Sequence, residues 1–137
     1  MGLFSWIRGL TTGPPDLRLE GPGDYEFEVV GEASYQEALE AIAGGRTGDG
    51  HRRVLVTARL VHEDENQQDD QAVRIDVDRR TVGYLTRASA RIYRRSLAEK
   101  GQAGRAATCS AVIVGGWDRG PRGRGHFGIK LDLPSLY

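Results

Sequence analysis

The sequence predicts a mainly β fold with two helices, of the α+β class, closed into a small six-stranded barrel. Three observations carry this. The 137 residues, 39% hydrophobic and 28% charged, suit one ordinary domain with a modest core. Six short segments have the alternation or the β-rich composition of strands, and two have helical periodicity with capping signals. Along the chain they run strand, helix, three strands, helix, two strands. That order does not alternate as a parallel α/β sheet would, so a closed or partly open barrel is the economical arrangement.

Residues 1–24 read as an amphipathic N-terminal segment followed by a linker, and residues 25–137 as a single barrel domain. Leu3, Trp6, Ile7 and Leu10 fall at helical spacing, enough for two turns that could dock on the domain, on a partner or on a membrane surface. Arg8 breaks the apolar run that a secretory signal needs, and Trp6 stands where N-myristoylation wants Ser or Thr. Thr12 to Gly23 contains three prolines and three glycines, a linker composition.

In "YEFEVV", Tyr25, Phe27 and Val29 share one face and Glu26 and Glu28 the other, as in a half-buried strand. In "SYQEALEAIAGG", Ser34 and Glu37 form a capping-box pattern, Ala38, Leu39 and Ile42 an apolar stripe, and Gly44-Gly45 a stop. "RRVLVTARLVH" is β-rich and long enough for a strongly bent strand. Val73, Ile75 and Val77 alternate with charged residues, and "TVGYL" follows a short turn at Arg79-Arg80 to complete a hairpin. Thr86 is placed to cap a second helix that turns Ile92, Tyr93 and Leu97 inward and ends at Gly101. "ATCSAVIVGG" and "HFGIKLDL" give the last two strands, joined by the Gly- and Arg-rich loop "WDRGPRGR".

No window approaches the ~20 apolar residues of a membrane-spanning helix. The lone Cys109 lies in the apolar run "ATCSAVIV", where a buried structural thiol is expected, and a reducing cytoplasm fits best. The acidic segment "DENQQDDQ" fails the calcium-loop template: counted from Asp64, the sixth residue is Asp69 rather than Gly and the twelfth is Ile75 rather than Glu. A solvated turn between strands accounts for it better, with Asn66 and Asp69 bonding turn backbone. "GRGHFG" matches Gly-x-Gly-x-x-Gly only formally, because a strand rather than a helix follows it. His51, His62 and His126 lack metal-ligand spacing, and no nucleophile elbow or Walker loop is present. Neither a catalytic residue nor a cofactor is expected.

Net charge is zero, but residues 1–70 hold 6 basic and 14 acidic side chains and residues 71–137 hold 13 and 5. Such asymmetry hints at one basic face for a polyanionic partner, unless folding interleaves the halves. Arg87, Arg91, Arg94 and Arg95 fall on one face of the second helix. Arg119, Arg122 and Arg124 accompany Trp117 in the last loop, and guanidinium groups beside a stacking ring suit a single-stranded nucleic acid.

"VVGEASYQEAL", "NQQDDQAVRIDV" and "TVGYLTRASARIY", in that order and spacing, resemble the HIRAN domain, a module of some DNA-repair translocases and of stand-alone bacterial proteins. The resemblance covers roughly residues 25 to 133. Its most specific part is Asn-x-x-Asp-x-x-Ala-Val coupled through a short hairpin to Val-Gly-Tyr-Leu and a helix. It implies an OB-like barrel that binds single-stranded DNA or DNA 3′ ends in repair or processing. On this chain the implied pocket falls on Tyr35 as a ring, Asn66 and Asp69 as polar groups near the terminal sugar, Tyr84, and Arg87 as a phosphate contact. Trp117 is the nearest late aromatic.

This chain departs from the family pattern at Ala33 and Ser34, where a basic residue and an aromatic are usual, and in the turn Asn66-Gln67-Gln68-Asp69, where Asn-Pro-Tyr-Asp is usual. Each stacked base contributes roughly 1–3 kcal/mol, so two missing rings weaken end capture unless other residues substitute. The sequence therefore reads as a non-catalytic nucleic-acid-binding module, using Arg87, Arg91 and the 119–124 loop for phosphates and Tyr35, Tyr84 and Trp117 for stacking or sugar contacts. Two alternatives stand beside it. One is a protein-interaction module that reaches a helicase or nuclease through its N-terminal segment. The other is a metal-dependent hydrolase built on Asp64, Glu65, Asp69 and Asp70.

Overall fold

A computed structural model describes residues 15–135, so the amphipathic segment around Trp6 lies outside the described residues. The described residues hold seven strands: β1 (Leu17–Arg18), β2 (Phe27–Val30), β3 (Arg53–His62), β4 (Val73–Val77), β5 (Arg80–Leu85), β6 (Ala107–Gly115) and β7 (Phe127–Asp132). The helices are α1 (Gln36–Ala43), entered through a 3₁₀ turn at Glu32–Tyr35, and α2 (Arg87–Glu99). The pairings β6–β3–β4–β5–β2–β7 are all antiparallel and return to β6, closing a six-stranded barrel. This is the small OB-like α+β barrel expected from the sequence.

Strand alternation fills the barrel. Val73, Ile75 and Val77 of β4, Cys109, Ala111 and Ile113 of β6, and Ile129 and Leu131 of β7 are all buried. α1 adds Leu39 to this core, and α2 adds Ala90, Tyr93 and Leu97. Full burial of one such aliphatic side chain is worth about 1.5–3 kcal/mol, so the amphipathic faces, rather than helix propensity, hold both helices in place. Burial also pushes the Cys109 thiol up to about 12, which keeps it protonated.

Four local details differ from the sequence reading. β2 begins at Phe27, because Tyr25 takes φ 51° and leaves the strand. Ser34 and Glu37 make no capping box. Gly31, at φ 81°, starts a 3₁₀ turn that contains Ser34, and α1 begins after Tyr35 with no side-chain cap. The β4–β5 turn is Asp78-Arg79, with φ 51° and 63°, which sets Arg80 opposite Val77. Two positive φ values match the right-handed twist of a two-residue hairpin. Finally, within the stretch read as linker, β1 pairs in parallel with β6, Leu17 N–H donating to Ala106 O (3.0 Å) and Leu19 N–H to Thr108 O (2.8 Å).

A bulge between Ile75 and Asp76 shifts the β4–β5 register, so Val82 and Gly83 are both buried although adjacent. Gly83 lies against β2: a Cβ there would collide with Val29 Cγ1 and come within 2.8 Å of Val30 O. That close approach brings Tyr84 level with Val30 on one side and Arg74 on the other.

Candidate nucleic-acid interface

Beside Tyr84 is a cleft of about 450 Å³ lined by Val30, Tyr35, Asn66, Gln68, Asp69, Ala72, Tyr84, Leu85 and Arg87. Four pieces of chain supply it: the end of β2 with its 3₁₀ turn, the 63–72 turn, the end of β5, and the start of α2. The volume falls in the range of sites for small ligands. Five residues singled out in the sequence, Tyr35, Asn66, Asp69, Tyr84 and Arg87, thus face one cavity.

The 63–72 turn is held by side-chain hydrogen bonds. Asn66 Oδ1 accepts the backbone N–H groups of Gln68 (2.9 Å) and Asp69 (3.1 Å), and its Nδ2 donates to Glu63 (3.0 Å). Arg74 donates to Glu63 (3.1 Å) and, through two nitrogens, to Asp76 (3.0 Å each). Burial raises the Glu63 carboxyl, but bonds from Asn66, Tyr84 and Arg74 outweigh it and hold the group below its ordinary value. Tyr84 is pushed up to about 12, first by burial and then by the Glu63 carboxylate and Tyr35, so it remains a neutral phenol.

Asp69 organises the cleft mouth. It accepts from Gln71 N–H (3.0 Å), from Arg87 Nε (3.2 Å), and from Arg91 Nη2 (3.0 Å) and Nη1 (3.2 Å). A carboxylate offers about four acceptor positions, so Asp69 is fully engaged. Bonds from Arg91 and the Gln71 backbone, with help from Arg87, hold its carboxyl down at about 2. Thr86 fixes where Arg87 begins its helix, its hydroxyl oxygen accepting the Ser89 N–H (3.1 Å). One turn past Arg91, Arg94 bonds Gln71 O and Ala72 O (2.8 Å each) and Asp64 (2.8 Å). The acidic turn and the arginine helix are thus mutual partners, and folding interleaves the charge halves here. Of the four carboxylates that could suggest a metal site, Asp64 and Asp69 are engaged by guanidinium groups, and no cluster of three metal-ligating side chains occurs among the described residues.

Trp117, Arg119, Arg122 and Arg124 form a separate group in the β6–β7 loop. Trp117 bridges to Thr47, and Asp118 N–H donates to Thr47 O (2.8 Å). The Arg119 guanidinium lies 4.9 Å from the indole centre, and Arg124 pairs with Asp118 at 3.3 Å. Thr47 follows α1 whereas Tyr35 precedes it. A helix of that length spans about 12 Å, so Trp117 is not one of the cleft's walls.

Sequence reasoning passed over Glu63 and Arg74, which carry the polar network behind the cleft. Their signal was the hairpin itself: Arg74 is an outward position of β4 and lies across from Tyr84. No helix among the described residues is long and apolar enough to cross a membrane. In comparisons with known proteins, the chain matches no family model, no curated protein and no solved structure.

Proposed function

We propose that this chain is a non-catalytic nucleic-acid-binding module of HIRAN type that takes the end of a single strand, such as a DNA 3′ end, in the cleft beside Tyr84. One observation carries the reading. Residues up to 52 positions apart in sequence, expected from the resemblance to form a pocket, line one cavity with two tyrosine rings and an exposed cation. Tyr35 and Tyr84 supply ring faces for a base or sugar, and Val30, Ala72 and Leu85 give an apolar floor.

Arg87 is the phosphate contact. Its side chain is 72% exposed. Of a guanidinium's five N–H donors it uses Nε on Asp69 and one at Nη2 on the Gln68 carbonyl. Asp69 acts chiefly by fixing the two arginines, since a sugar hydroxyl would have to displace one of its present donors. Binding adds no chemistry to the strand; phosphates set the affinity and the cleft sets the preference for ends.

The test is fluorescence anisotropy of a labelled single strand with a free 3′-hydroxyl, the same strand with a blocked 3′ end, and a duplex, across a salt series. The free end binds tightest, and Arg87→Ala removes that preference while leaving the melting temperature close to wild type. Equal, steeply salt-dependent binding of all three ligands would sink the cleft reading and leave only nonspecific charge.

A further inference from the structure

A second cavity, about 640 Å³, runs along α2 beyond the cleft, with His62, Asp64, Gln71, Arg91, Arg94 and Arg95 in its walls. Three guanidinium groups there face one carboxylate. That carboxylate, Asp64, is 71% exposed and sits on Arg94 at 2.8 Å. Arg94 itself is only 14% exposed and is clamped by the carbonyls of Gln71 and Ala72, a fixed cation in the cavity wall. Arg95 is exposed, and no hydrogen bond or ion pair to another described residue accounts for it.

His62 also lines this cavity. Its ring packs against Tyr93 with centroids 5.9 Å apart, and its Nδ1 is sealed from solvent with no hydrogen-bond partner. Burial, then the nearby Arg94, lowers its pKa, against a smaller opposing pull from Asp64, so the ring is neutral. A buried orphan N–H is rarer in proteins than an under-satisfied acceptor, so the single proton belongs on Nε2. His62 is among the lining residues of the cavity, and Nε2–H is the donor its neutral ring retains.

The two cavities share a wall. Arg91 lines the second cavity while its guanidinium grips Asp69, which lines the cleft. From Arg87 to Arg95 the helix rises about 12 Å. A stacked strand covers that in about three or four nucleotides at 3.4 Å per step. We infer that this groove is a second phosphate subsite, taking on Arg95, Arg94 and His62 a backbone phosphate of the strand whose end occupies the cleft. The strand assignment rests on the cleft reading; the phosphate chemistry of the groove does not.

The experiment has two arms on the full chain. In the first, inorganic pyrophosphate is titrated while the imidazole resonances of His62 are followed by NMR. They shift saturably, Arg95→Glu removes the shift, and Asp64→Asn, which deletes the competing carboxylate, makes it saturate at lower concentration. In the second, anisotropy compares two-nucleotide and ten-nucleotide oligothymidylates with free 3′ ends. The longer strand binds more tightly; Arg95→Glu weakens it severalfold and lowers its salt slope by about one, while the two-nucleotide strand is unaffected. An unmoved His62, or equal loss at both lengths, overturns the subsite. If the two-nucleotide strand fails to bind wild-type protein while pyrophosphate still shifts His62, the cleft reading fails and the groove stands as a phosphate site.

Discussion

The cleft and the β6–β7 loop both join arginines to aromatic rings, but they are built differently. Around the cleft, the arginines are tied to carboxylates from a distant turn: Asp69 engages Arg87 and Arg91, and Asp64 engages Arg94. In the loop, Arg124 finds its acid six residues away at Asp118, with both side chains substantially exposed, and Arg119 rests on its neighbour Trp117. Long-range pairing fixes guanidinium groups in a shaped cavity, whereas local pairing leaves them on a surface. On the proposed reading the first arrangement is the one suited to selecting a strand end, because selection needs donors whose positions are set before the ligand arrives.

The sharpest way to break the cleft is to push apart the strands beneath it. Gly83→Val drives a side chain into Val29 and the Val30 carbonyl. Overpacking of this kind costs about 3 kcal/mol, read as a lower thermal midpoint and as loss of strand binding. Next in size, Tyr84→Ala removes a ring from the cleft and lowers single-strand affinity by about 1–3 kcal/mol. Trp117→Ala, outside the cleft, leaves the free-end preference unchanged, and anisotropy on both variants decides whether the two regions are functionally distinct.

Acid titration separates the regions by stability. The Asp69 carboxyl stands at about 2 against an ordinary 3.8, a depressed value. Its contribution is therefore complete above the ordinary value and is lost as pH falls through about 2. Thermal melts of wild type and Asp69→Asn should converge over that interval, and parallel curves would show that the cluster adds no pH-linked stability. The smallest effect belongs to Asp118→Ala. Its exposed ion pair with Arg124 is worth roughly 0.2–1 kcal/mol, and its carboxylate also accepts the Gly120 N–H (2.9 Å), so denaturant unfolding at low and high salt should register a small change, only part of it salt-dependent.

Much of the barrel was legible because strand alternation and helix periodicity are local. Val73, Ile75 and Val77 announce their inward face in five consecutive residues, and Thr86 caps α2 as its position suggests. Ser34 misled because a capping box requires non-helical backbone at the cap, and Gly31 had already begun a 3₁₀ turn through it. β1 left no pattern to read, since two residues held by backbone pairing carry no alternation. Of the residues around the cleft, Tyr35, Asn66, Asp69, Tyr84 and Arg87 were named from the family resemblance and line one cavity, but Glu63 and Arg74 appear only once β4 and β5 are in register.

By itself, the sequence determined the six barrel strands and two helices, their order, most inward faces and the presence of an arginine-bearing helix, because each follows from the spacing of neighbouring residues. Tertiary structure alone decided what those arginines face. Asp69 lies 18 and 22 positions from Arg87 and Arg91, and Asp64 lies 30 from Arg94. Closure of the barrel brings them together and turns an apparent basic stripe into a partly neutralised wall with Arg87 at one end and Arg95 at the other. Charge pairing depends on distance in space, and at these separations no local pattern in the chain encodes it.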